Sequence, residues 1–445
     1  MEELIKRIDT LIEESEESII SDAMDFIKIK SVQGEPKETA PFGEGPEEML
    51  EFFKKAAEKE GFFVTDTKTG VVIAALYDRK PDVGIWIHGD VMPEGDGWNF
   101  EPYSPVVYKN CIIGRGASDN KGQLSAIFNL LKIIKKEGIS LTLNPAIYLG
   151  SNEETGMEDI KAFLKENEPP ALSLIPDGSF PVGTAGSGSI NLILKSEISS
   201  GNILINGGLP DSPGYATAQK KEEKAPFLSF YSVPRHGSNP DPEGNMITKL
   251  GEALTENASL KKIAEFMILC SKDIHGKIFG ISTEHPFINQ LTVFCGKITD
   301  GGGYPEIHLG IRYPVGITAK EILEKVGEKA KEYGFFIFSA KEACQPYELP
   351  SDSETVRILK TASNEVTGEN EEPYAMCGLT YAHMLPEAYV FGTDANVPPE
   401  DFPPERGHVH GVDEAASVER LKRAMKIYSR ALLRLNEKHK QGENN

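Results

Sequence analysis

The residues that could do chemistry begin with two adjacent glutamates, Glu153 and Glu154, in the stretch SNEETG that follows the apolar run LNPAIYLG. Three further stretches place imidazole or carboxylate groups beyond a strand-like run or before a helix, and a fifth stretch adds two histidines near the C-terminus. These candidates are His88 and Asp90 in IHGD, Asp119 in GRGASDNKG, Asp177 in IPDG, and His408 and His410 in RGHVHGVDE. Imidazoles and carboxylates are ligands of borderline divalent metals such as Zn²⁺.

Each of these residues has an ordinary explanation when it is taken alone. A glutamate pair is usual on the solvated surface of a chain in which 26% of the residues are charged. Asp119 stands where a helix N-cap is expected, and Asp177 belongs to a PDG turn sequence. A single histidine after a strand is more often hydrogen-bonded than bound to metal. Only the combination points to a metal site.

Metal ions explain the combination. Several carboxylates at neighbouring strand ends would repel one another unless a cation neutralised them. Two imidazoles and three carboxylates are more ligands than one open zinc site uses, because such a site takes three. Two metals that share one carboxylate would use all of them and leave room for a bridging water. One glutamate of the adjacent pair would bind metal and the other would be a general base, because neighbouring side chains diverge in an extended segment.

The elements that must position these residues follow an α/β pattern. Strand-like runs such as VGIWIHGD and NPAIYLG alternate with helical stretches such as QLSAIFNLLKIIKKEG up to about residue 185. This pattern predicts a mostly parallel sheet flanked by helices, with the candidate residues at its carboxyl edge. Partly alternating strands with two helical stretches then predict an inserted, smaller α+β domain. We expect a catalytic domain in two segments, 1–186 and 345–445, and an inserted domain, 187–344.

Composition limits the partners and the compartment. The formal net charge of −21 disfavours nucleic acid and anionic membrane surfaces as partners. Five cysteines without a C-x-x-C pair disfavour a disulfide framework or a thiolate zinc site, and they favour a reducing compartment. The N-terminal stretch has no continuous apolar region, and no segment approaches membrane-spanning length. We therefore expect a soluble cytoplasmic protein.

Seven motifs in order carry a resemblance to a known family. They are HGDVMPEGDGW, GRGASDNKGQ, GSNEETG, IPDG, RHGSNPDPEGN, IRYP and HGVDE, within a similarity that runs from about residue 25 to 435. The set resembles the di-zinc metallopeptidase family that contains the PepV-like dipeptidases, carnosinase, aminoacylase and succinyl-diaminopimelate desuccinylase. The PepV-like bacterial dipeptidases are the most similar branch. The resemblance implies a zinc peptidase catalytic domain with an inserted lid domain, a small peptide substrate, and a monomer or a homodimer.

The resemblance also implies a ligand set for two divalent metal ions, with Zn²⁺ favoured and Mn²⁺ or Co²⁺ as alternatives. His88, Asp119 and Asp177 would hold one ion, and Glu154, His410 and the bridging Asp119 would hold the other. His410 is preferred over His408 because the family's metal histidine stands four residues before a glutamate, here Glu414. The family further implies a cis peptide bond between Asp119 and Asn120.

Other residues take roles from the same resemblance. Asp90 would orient His88, and Glu153 would be the general base. His236, from the inserted domain, would polarise the scissile carbonyl and stabilise the oxyanion. Arg312 would pair with the terminal carboxylate of the substrate, a role that suits a bidentate guanidinium.

The sequence departs from the family pattern in three places. His383, a further candidate for substrate binding, stands where relatives often carry arginine. Gly207 stands where dipeptidase relatives tend to have a substrate-contacting asparagine, and Asn206 lies one position away. Gly178 and Ser179 replace a small residue followed by glutamate. No departure removes a ligand or the general base, but all three bear on the substrate range.

Three functions compete at this stage. The first is a zinc-dependent dipeptidase that cleaves short peptides with a free C-terminal carboxylate by means of a metal-bridging water and a glutamate base. The second is an N-acyl or N-carbamoyl amino-acid amidohydrolase with the same chemistry. The third is a non-catalytic metal-binding protein on a peptidase scaffold, which the complete set of candidate ligands and base disfavours.

Overall fold

Ten α-helices and twenty-one strands form the part of the chain that the computed structural model describes, which is residues 1–209, 212–231, 242–376, 378–394, 402–403 and 406–443. The helices are α1 (Glu2–Glu14), α2 (Glu16–Ile27), α3 (Glu44–Lys59), α4 (Lys121–Lys136), α5 (Glu158–Glu166), α6 (Met246–Leu254), α7 (Lys261–Lys272), α8 (Ala319–Glu332), α9 (Glu354–Thr367) and α10 (Val418–Glu443). One short 3₁₀ turn covers Tyr381–His383.

The strands are short, and most have two to nine residues. They are β1 (Phe63–Asp66), β2 (Val71–Ala75), β3 (Val83–His88), β4 (Val106–Tyr108), β5 (Cys111–Ile113), β6 (Pro145–Gly150), β7 (Leu172–Ile175), β8 (Gly183–Gly186), β9 (Gly188–Ser196), β10 (Ile203–Leu209), β11 (Ser212–Lys220), β12 (Leu228–Tyr231), β13 (Glu284–His285), β14 (Asn289–Gln290), β15 (Thr292–Thr299), β16 (Glu306–Tyr313), β17 (Phe335–Cys344), β18 (Tyr347–Glu348), β19 (Tyr374–Met376), β20 (Ala388–Val390) and β21 (Ala415–Ser417).

Internal contacts divide the chain into two units. Unit 1 comprises Met1–Thr184, Leu349–Tyr374 and Thr380–Asn445, and unit 2 comprises Ala185–Glu348 and Ala375–Leu379. The division into a catalytic domain in two segments, 1–186 and 345–445, and an inserted domain, 187–344, stays a prediction.

The central sheet of unit 1 has the strand order β1-β2-β6-β3-β7-β20-β8. Its four middle strands, β6, β3, β7 and β20, run parallel, whereas the strands at both margins are antiparallel. Both β3 and β6 are buried along their whole length, as expected for parallel strands covered on two faces. The predicted α/β class with a mostly parallel central sheet is confirmed, and the antiparallel margins add to it.

The helices of unit 1 bury apolar stripes against this sheet. In α4 the apolar spacing includes Leu124, Ile127 and Leu131, all of which are fully buried. Phe128 of the same helix lies 5.7 Å from the ring of Phe53 between centroids, within an aromatic cluster of the core. Burial of one such side chain contributes about 1.5–3 kcal/mol, so α4 is firmly anchored just after the candidate residue Asp119.

A small antiparallel sheet, β21-β5-β4, joins two distant parts of unit 1. Ala415 of β21 pairs with Ile113 of β5, and the Gly114 amide donates to the Glu414 carbonyl at 2.9 Å. Because β5 leads into the segment that contains Asp119, this pairing brings that segment beside the residues that precede β21.

Unit 2 is built on a seven-stranded sheet with the order β12-β11-β10-β15-β16-β9-β17, in which all pairings are antiparallel. Side chains from α6, α7 and α8 share one apolar core with this sheet. Burial alternates along β16, where Ile311 is buried and Arg312 lies on the less buried face. In the part of the chain that the structure describes, none of the helices is long and apolar enough to cross a membrane.

Candidate metal centre

Three of the candidate stretches converge because of the register of the parallel strands. His88 is the last residue of β3, and it pairs with Gly150, the last residue of β6. Glu153 and Glu154 follow β6 within four residues, and Asp177 lies two residues beyond β7. The carboxyl ends of neighbouring parallel strands meet at one edge of the sheet, so residues far apart in sequence share one site.

Asp119 lies between two imidazoles, with one carboxylate oxygen toward each. Its Oδ1 is 2.9 Å from His88 Nε2, and its Oδ2 is 3.0 Å from His410 Nε2. Asp119 is followed by Asn120 through a cis peptide bond, as the resemblance implies. A carboxylate in this position has the arrangement that a bridge between two metal ions requires.

Each imidazole has a second carboxylate close to it. Asp177 Oδ2 lies 4.0 Å from His88 Nε2, and Glu154 Oε2 lies 3.0 Å from His410 Nε2. Among the described residues, two triads have potential ligand atoms within 4.8 Å of one another, His88 with Glu153 and Asp177, and His88 with Asp119 and Glu154. The structure thus brings together all five residues predicted as ligands. Their role as ligands stays a prediction.

Asp90 lies against both His88 and the turn that contains the two glutamates. The His88 Nδ1 atom is 3.0 Å from the backbone carbonyl of Asp90 and 3.6 Å from its carboxylate, so the carbonyl accepts the hydrogen bond. This bond leaves Nε2 directed at Asp119. The Asp90 carboxylate instead accepts the backbone amides of Glu153 and Glu154, each at 3.1 Å.

Glu153 differs from Glu154 in its surroundings. The Oε1 atom of Glu153 is buried and has no hydrogen-bond partner among the described residues, whereas Glu154 contacts His410. Burial raises the pKa of Glu153 well above its ordinary value, and the nearby carboxylates of Asp177 and Glu154 add to the rise. A buried carboxylate with a raised pKa and an open oxygen is suited to accept a proton.

Opposite shifts appear in the groups around Asp119. Burial raises the pKa of Asp177 to about 7, and the charge of Asp119 adds to this effect. Burial would also raise the pKa of Asp119, but hydrogen bonds from His410 and His88 outweigh it and lower that pKa strongly. Burial opposes protonation of His410, yet its bonds to Asp119 and Glu154 raise its pKa to about 11. The protons on the two imidazoles thus neutralise part of the carboxylate charge in the metal-free protein.

A buried ion pair that the sequence analysis did not assign supports the loop before Asp119. Arg115 donates to the Glu414 carboxylate at 2.6 Å and to the His410 carbonyl at 3.0 Å. The same carboxylate accepts the amides of Gly116, at 3.1 Å, and Ser118, at 2.9 Å. One acidic side chain therefore links the Asp119 loop to the His410 loop. The only sequence signal for it was the four-residue spacing from His410 to Glu414.

The remaining predicted residues have other surroundings. Arg312 belongs to β16 of unit 2. His236 lies outside the described residues. The His383 Nδ1 atom is 3.3 Å from the Thr380 amide and 3.2 Å from the Thr380 carbonyl, so it is engaged by its own turn. His408 is exposed, and its carbonyl accepts the Gly411 amide at 3.0 Å.

Gly178 and Ser179, which form one of the three departures, are also held by hydrogen bonds of their backbone amides. The Gly178 amide donates to the Gly392 carbonyl at 2.8 Å, and the Ser179 amide donates to the Tyr374 hydroxyl at 2.9 Å. In unit 2 the Asp300 amide donates to the Asn206 side-chain oxygen at 3.2 Å. The Asn206 oxygen is thereby bonded within its own unit.

Comparison with known proteins identifies the family of the chain. The sequence pattern of Peptidase family M20/M25/M40 matches residues 84–434, which include all five candidate ligands and Glu153. The chain belongs to this family. Members of the M20/M25/M40 family are peptidases, so the protein is a hydrolase, and the resemblance to the PepV, carnosinase and aminoacylase family is confirmed.

Individual relatives cover nearly the whole chain. The Bacillus subtilis protein named "Putative dipeptidase YtjP" is 27% identical over 94% of this chain and 97% of its own. Human carnosine dipeptidase 1 has a similar structure, with a TM-score of 0.65 and 14% identity over 97% of this chain and 100% of that one. The Bacillus subtilis protein YXEP, a dinuclear metal-binding peptidase of the M20 family, has a TM-score of 0.51 and 12% identity over 97% of this chain and 99% of its own. At these identities the structures show the fold alone.

We expect metal affinity to rise with pH. Hydrogen bonds to Asp119 and Glu154 raise the pKa of His410 to about 11, and bonds to nearby carboxylates raise the pKa of His88 well above its ordinary value, so a divalent metal would displace protons from both imidazoles. Each proton released should increase the apparent Zn²⁺ affinity about tenfold per pH unit between pH 6 and 8, as measured by competition with a chromophoric chelator. An affinity that is constant over this interval would contradict the protonated state of the pair.

Glu414→Gln should destabilise the protein by about 3 kcal/mol, because it leaves the buried Arg115 charge without its partner. The free energy of unfolding would be measured with denaturant. A matched control is Glu324→Gln, which removes one partner of the exposed Lys320–Glu324 pair and should change stability by less than about 1 kcal/mol. Equal effects of both substitutions would show that the Arg115–Glu414 pair does not hold the two loops together.

Proposed function

We propose that the protein is a dipeptidase that uses two divalent metal ions and Glu153 as its general base. The observation that carries this proposal is the position of Asp119, with one oxygen 2.9 Å from His88 and the other 3.0 Å from His410. Two sites that share one carboxylate follow from this arrangement, and the membership in a peptidase family supports it. The same membership argues against a non-catalytic metal-binding protein.

The donor set fits two ions of borderline hardness. His88, Asp119 and Asp177 would hold one ion, and Glu154, His410 and Asp119 would hold the other. Imidazole and carboxylate ligands without thiolate suit Zn²⁺, and Mn²⁺ or Co²⁺ are the alternatives. When bound, such a pair lowers the pKa of a water molecule and polarises the carbonyl of the substrate.

The protein's own groups then move the proton. The buried Glu153 carboxylate, with its open Oε1 atom, would take a proton from the attacking water and give it to the leaving amine. The backbone amides of Glu153 and Glu154 both donate to Asp90, and these bonds fix the backbone from which the Glu153 side chain extends. Glu154, next to it, is directed at His410 instead. The adjacent glutamates would therefore divide the work between holding charge and transferring a proton.

The resemblance assigns three residues to the substrate. We assign Arg312 to the terminal carboxylate, because a guanidinium can form two parallel hydrogen bonds with it. His236 would stabilise the oxyanion by the resemblance alone. His383 would contribute through Nε2 only, because Nδ1 is engaged by Thr380. A reducing, cytoplasmic location is the further proposal that agrees with the four described cysteines, which are all buried and unbridged.

One observation favours a second candidate, an N-acyl or N-carbamoyl amino-acid amidohydrolase. The position at which dipeptidase relatives tend to carry a substrate-contacting asparagine is Gly207 here. The neighbouring Asn206 bonds to the Asp300 amide at 3.2 Å. Recognition of the substrate from this strand therefore differs from the family pattern, and an acyl group could take the place of the N-terminal residue.

Glu153→Gln should lower kcat by about 10²- to 10⁴-fold, because it removes the general base and keeps the side-chain volume. Metal content, measured on the purified variant by elemental analysis, should stay at the wild-type value. The matched control is Glu158→Gln, a change of an exposed residue in the first turn of α5, which should leave kcat unchanged. Retention of most of the activity in the Glu153 variant would contradict the assignment.

Dipeptides should be hydrolysed faster than N-acetyl or N-carbamoyl amino acids of the same C-terminal residue. The measurement is kcat/KM across a matched panel after reconstitution with Zn²⁺, Mn²⁺ or Co²⁺. Exclusive turnover of the N-acyl compounds would replace the dipeptidase proposal by the second candidate.

Arg312→Ala should raise KM about tenfold or more for every substrate with a free carboxylate, because a charge-assisted bidentate contact is lost.

A further inference from the structure

The turn that contains the two glutamates is held by two buried carboxylates, one on each side. Asp159 accepts the amides of Ser151, at 2.8 Å, and Asn152, at 3.0 Å. Asp90 accepts the next two amides, those of Glu153 and Glu154. Four successive backbone donors are thus bound in pairs, so the path of the chain through the turn depends on both acidic side chains.

Asp159 is in turn bound by a residue from a distant part of unit 1. The Tyr381 hydroxyl donates to Asp159 Oδ2 at 2.5 Å, the same oxygen that accepts Ser151 and Asn152. Asp159 is fully buried and Tyr381 is 1% exposed. The other Asp159 oxygen accepts the Ile160 amide at 2.7 Å, so both oxygens of the carboxylate are engaged.

Both members of this pair pack closely against Gly150 and the core of the sheet. A Cβ atom at Gly150 would lie 2.0 Å from the Tyr381 hydroxyl oxygen and 2.5 Å from Asp159 Oδ2. The Tyr381 ring meets Trp86 edge-on at 6.1 Å between centroids, and Trp86 belongs to β3, the strand that ends in His88. The hydroxyl is therefore placed by the core of the sheet and transmits that position to the turn.

The Tyr381 hydroxyl offsets part of the cost of burying a charge on Asp159. Burial raises the pKa of Asp159 to about 6, and the charge of Asp90 adds to the rise. Bonds from the Tyr381 hydroxyl and from the Ser151 and Ile160 amides act in the opposite direction. The hydroxyl thus stabilises the ionised form, which accepts the two amides.

We propose that Asp159 and Tyr381 form a positioning pair that fixes the Ser151–Asn152 backbone and so sets the places of Glu153 and Glu154. Neither residue touches the reacting atoms in this proposal. The role in turnover rests on the proposed function of Glu153 and Glu154, whereas the role in ordering the turn is independent of it.

The test is Tyr381→Phe, which removes only the hydroxyl and keeps the ring against Trp86. We expect kcat to fall about 10- to 100-fold with KM changed less than threefold, because a small displacement of a catalytic group reduces the rate more than the binding. Hydrogen exchange of the amides at 151–154, followed by mass spectrometry, should become about tenfold faster or more. This second readout does not require activity or bound metal.

Tyr148→Phe is the matched control. The Tyr148 ring stacks on the same tryptophan at 4.3 Å and is buried, but its hydroxyl makes none of the bonds to Asp159. Both kcat and the exchange at 151–154 should stay at wild-type values. If Tyr381→Phe does not fold, Asp159→Asn tests the same pair, because it keeps the volume and one acceptor oxygen but loses the charge.

The outcomes separate the two proposals. Unchanged exchange at 151–154 in a folded Tyr381 or Asp159 variant would overturn the positioning pair, and so would faster exchange with unchanged kcat. A wild-type protein that hydrolyses neither dipeptides nor N-acyl amino acids would overturn the proposed function. In that case faster exchange in the variant would still support the ordering of the turn.

Discussion

The carboxylate of Asp119, with an imidazole at each oxygen, is the interaction to which the rest of the site is adjusted. Several acidic groups are buried at one edge of a sheet, where burial and mutual repulsion both oppose their charges. Raised pKa values of Asp177 and Glu153 relieve part of this opposition, and hydrogen bonds from the carboxylates raise the pKa values of His88 and His410, which favours positive charge beside them. The same negative charge would attract two divalent ions, in exchange for the protons. Protonation of the two histidines and binding of two divalent ions are thus two ways to neutralise the same buried carboxylates.

A second set of buried carboxylates holds the backbone around the first. Four carboxylates each accept two main-chain amides from a loop. They are Asp90, Asp159, Glu414 and Asp413. Each of these carboxylates thereby fixes a loop that has no regular secondary structure. Part of the acidity of the chain, with its net charge of −21, therefore serves the order of the site and not only solubility.

The sequence predicted the class of fold and the identity of the candidate residues more fully than their contacts. Alternating strand and helix patterns indicated the parallel core, and the order of motifs indicated the family, and both are confirmed. The expected orientation of His88 by the Asp90 carboxylate stays a prediction. The Asp90 carbonyl, which lies closer to the ring, and the bonds of its carboxylate to the glutamate turn were not foreseen. Tyr381 was not predicted, because a tyrosine in a polar segment has no pattern that indicates its partner.

What the sequence by itself determined is local: the apolar periods of strands and helices, the acidic and imidazole groups at their ends, and the adjacency of Glu153 and Glu154. These follow from residue type and spacing alone. Only the tertiary structure decided which atoms meet. The register of β3 with β6 joins His88 to Gly150, 62 positions away, and the pairing of β5 with β21 joins Ile113 to Ala415, 302 positions away. The different surroundings of the two glutamates, one with an open oxygen and one against His410, result from that long-range packing.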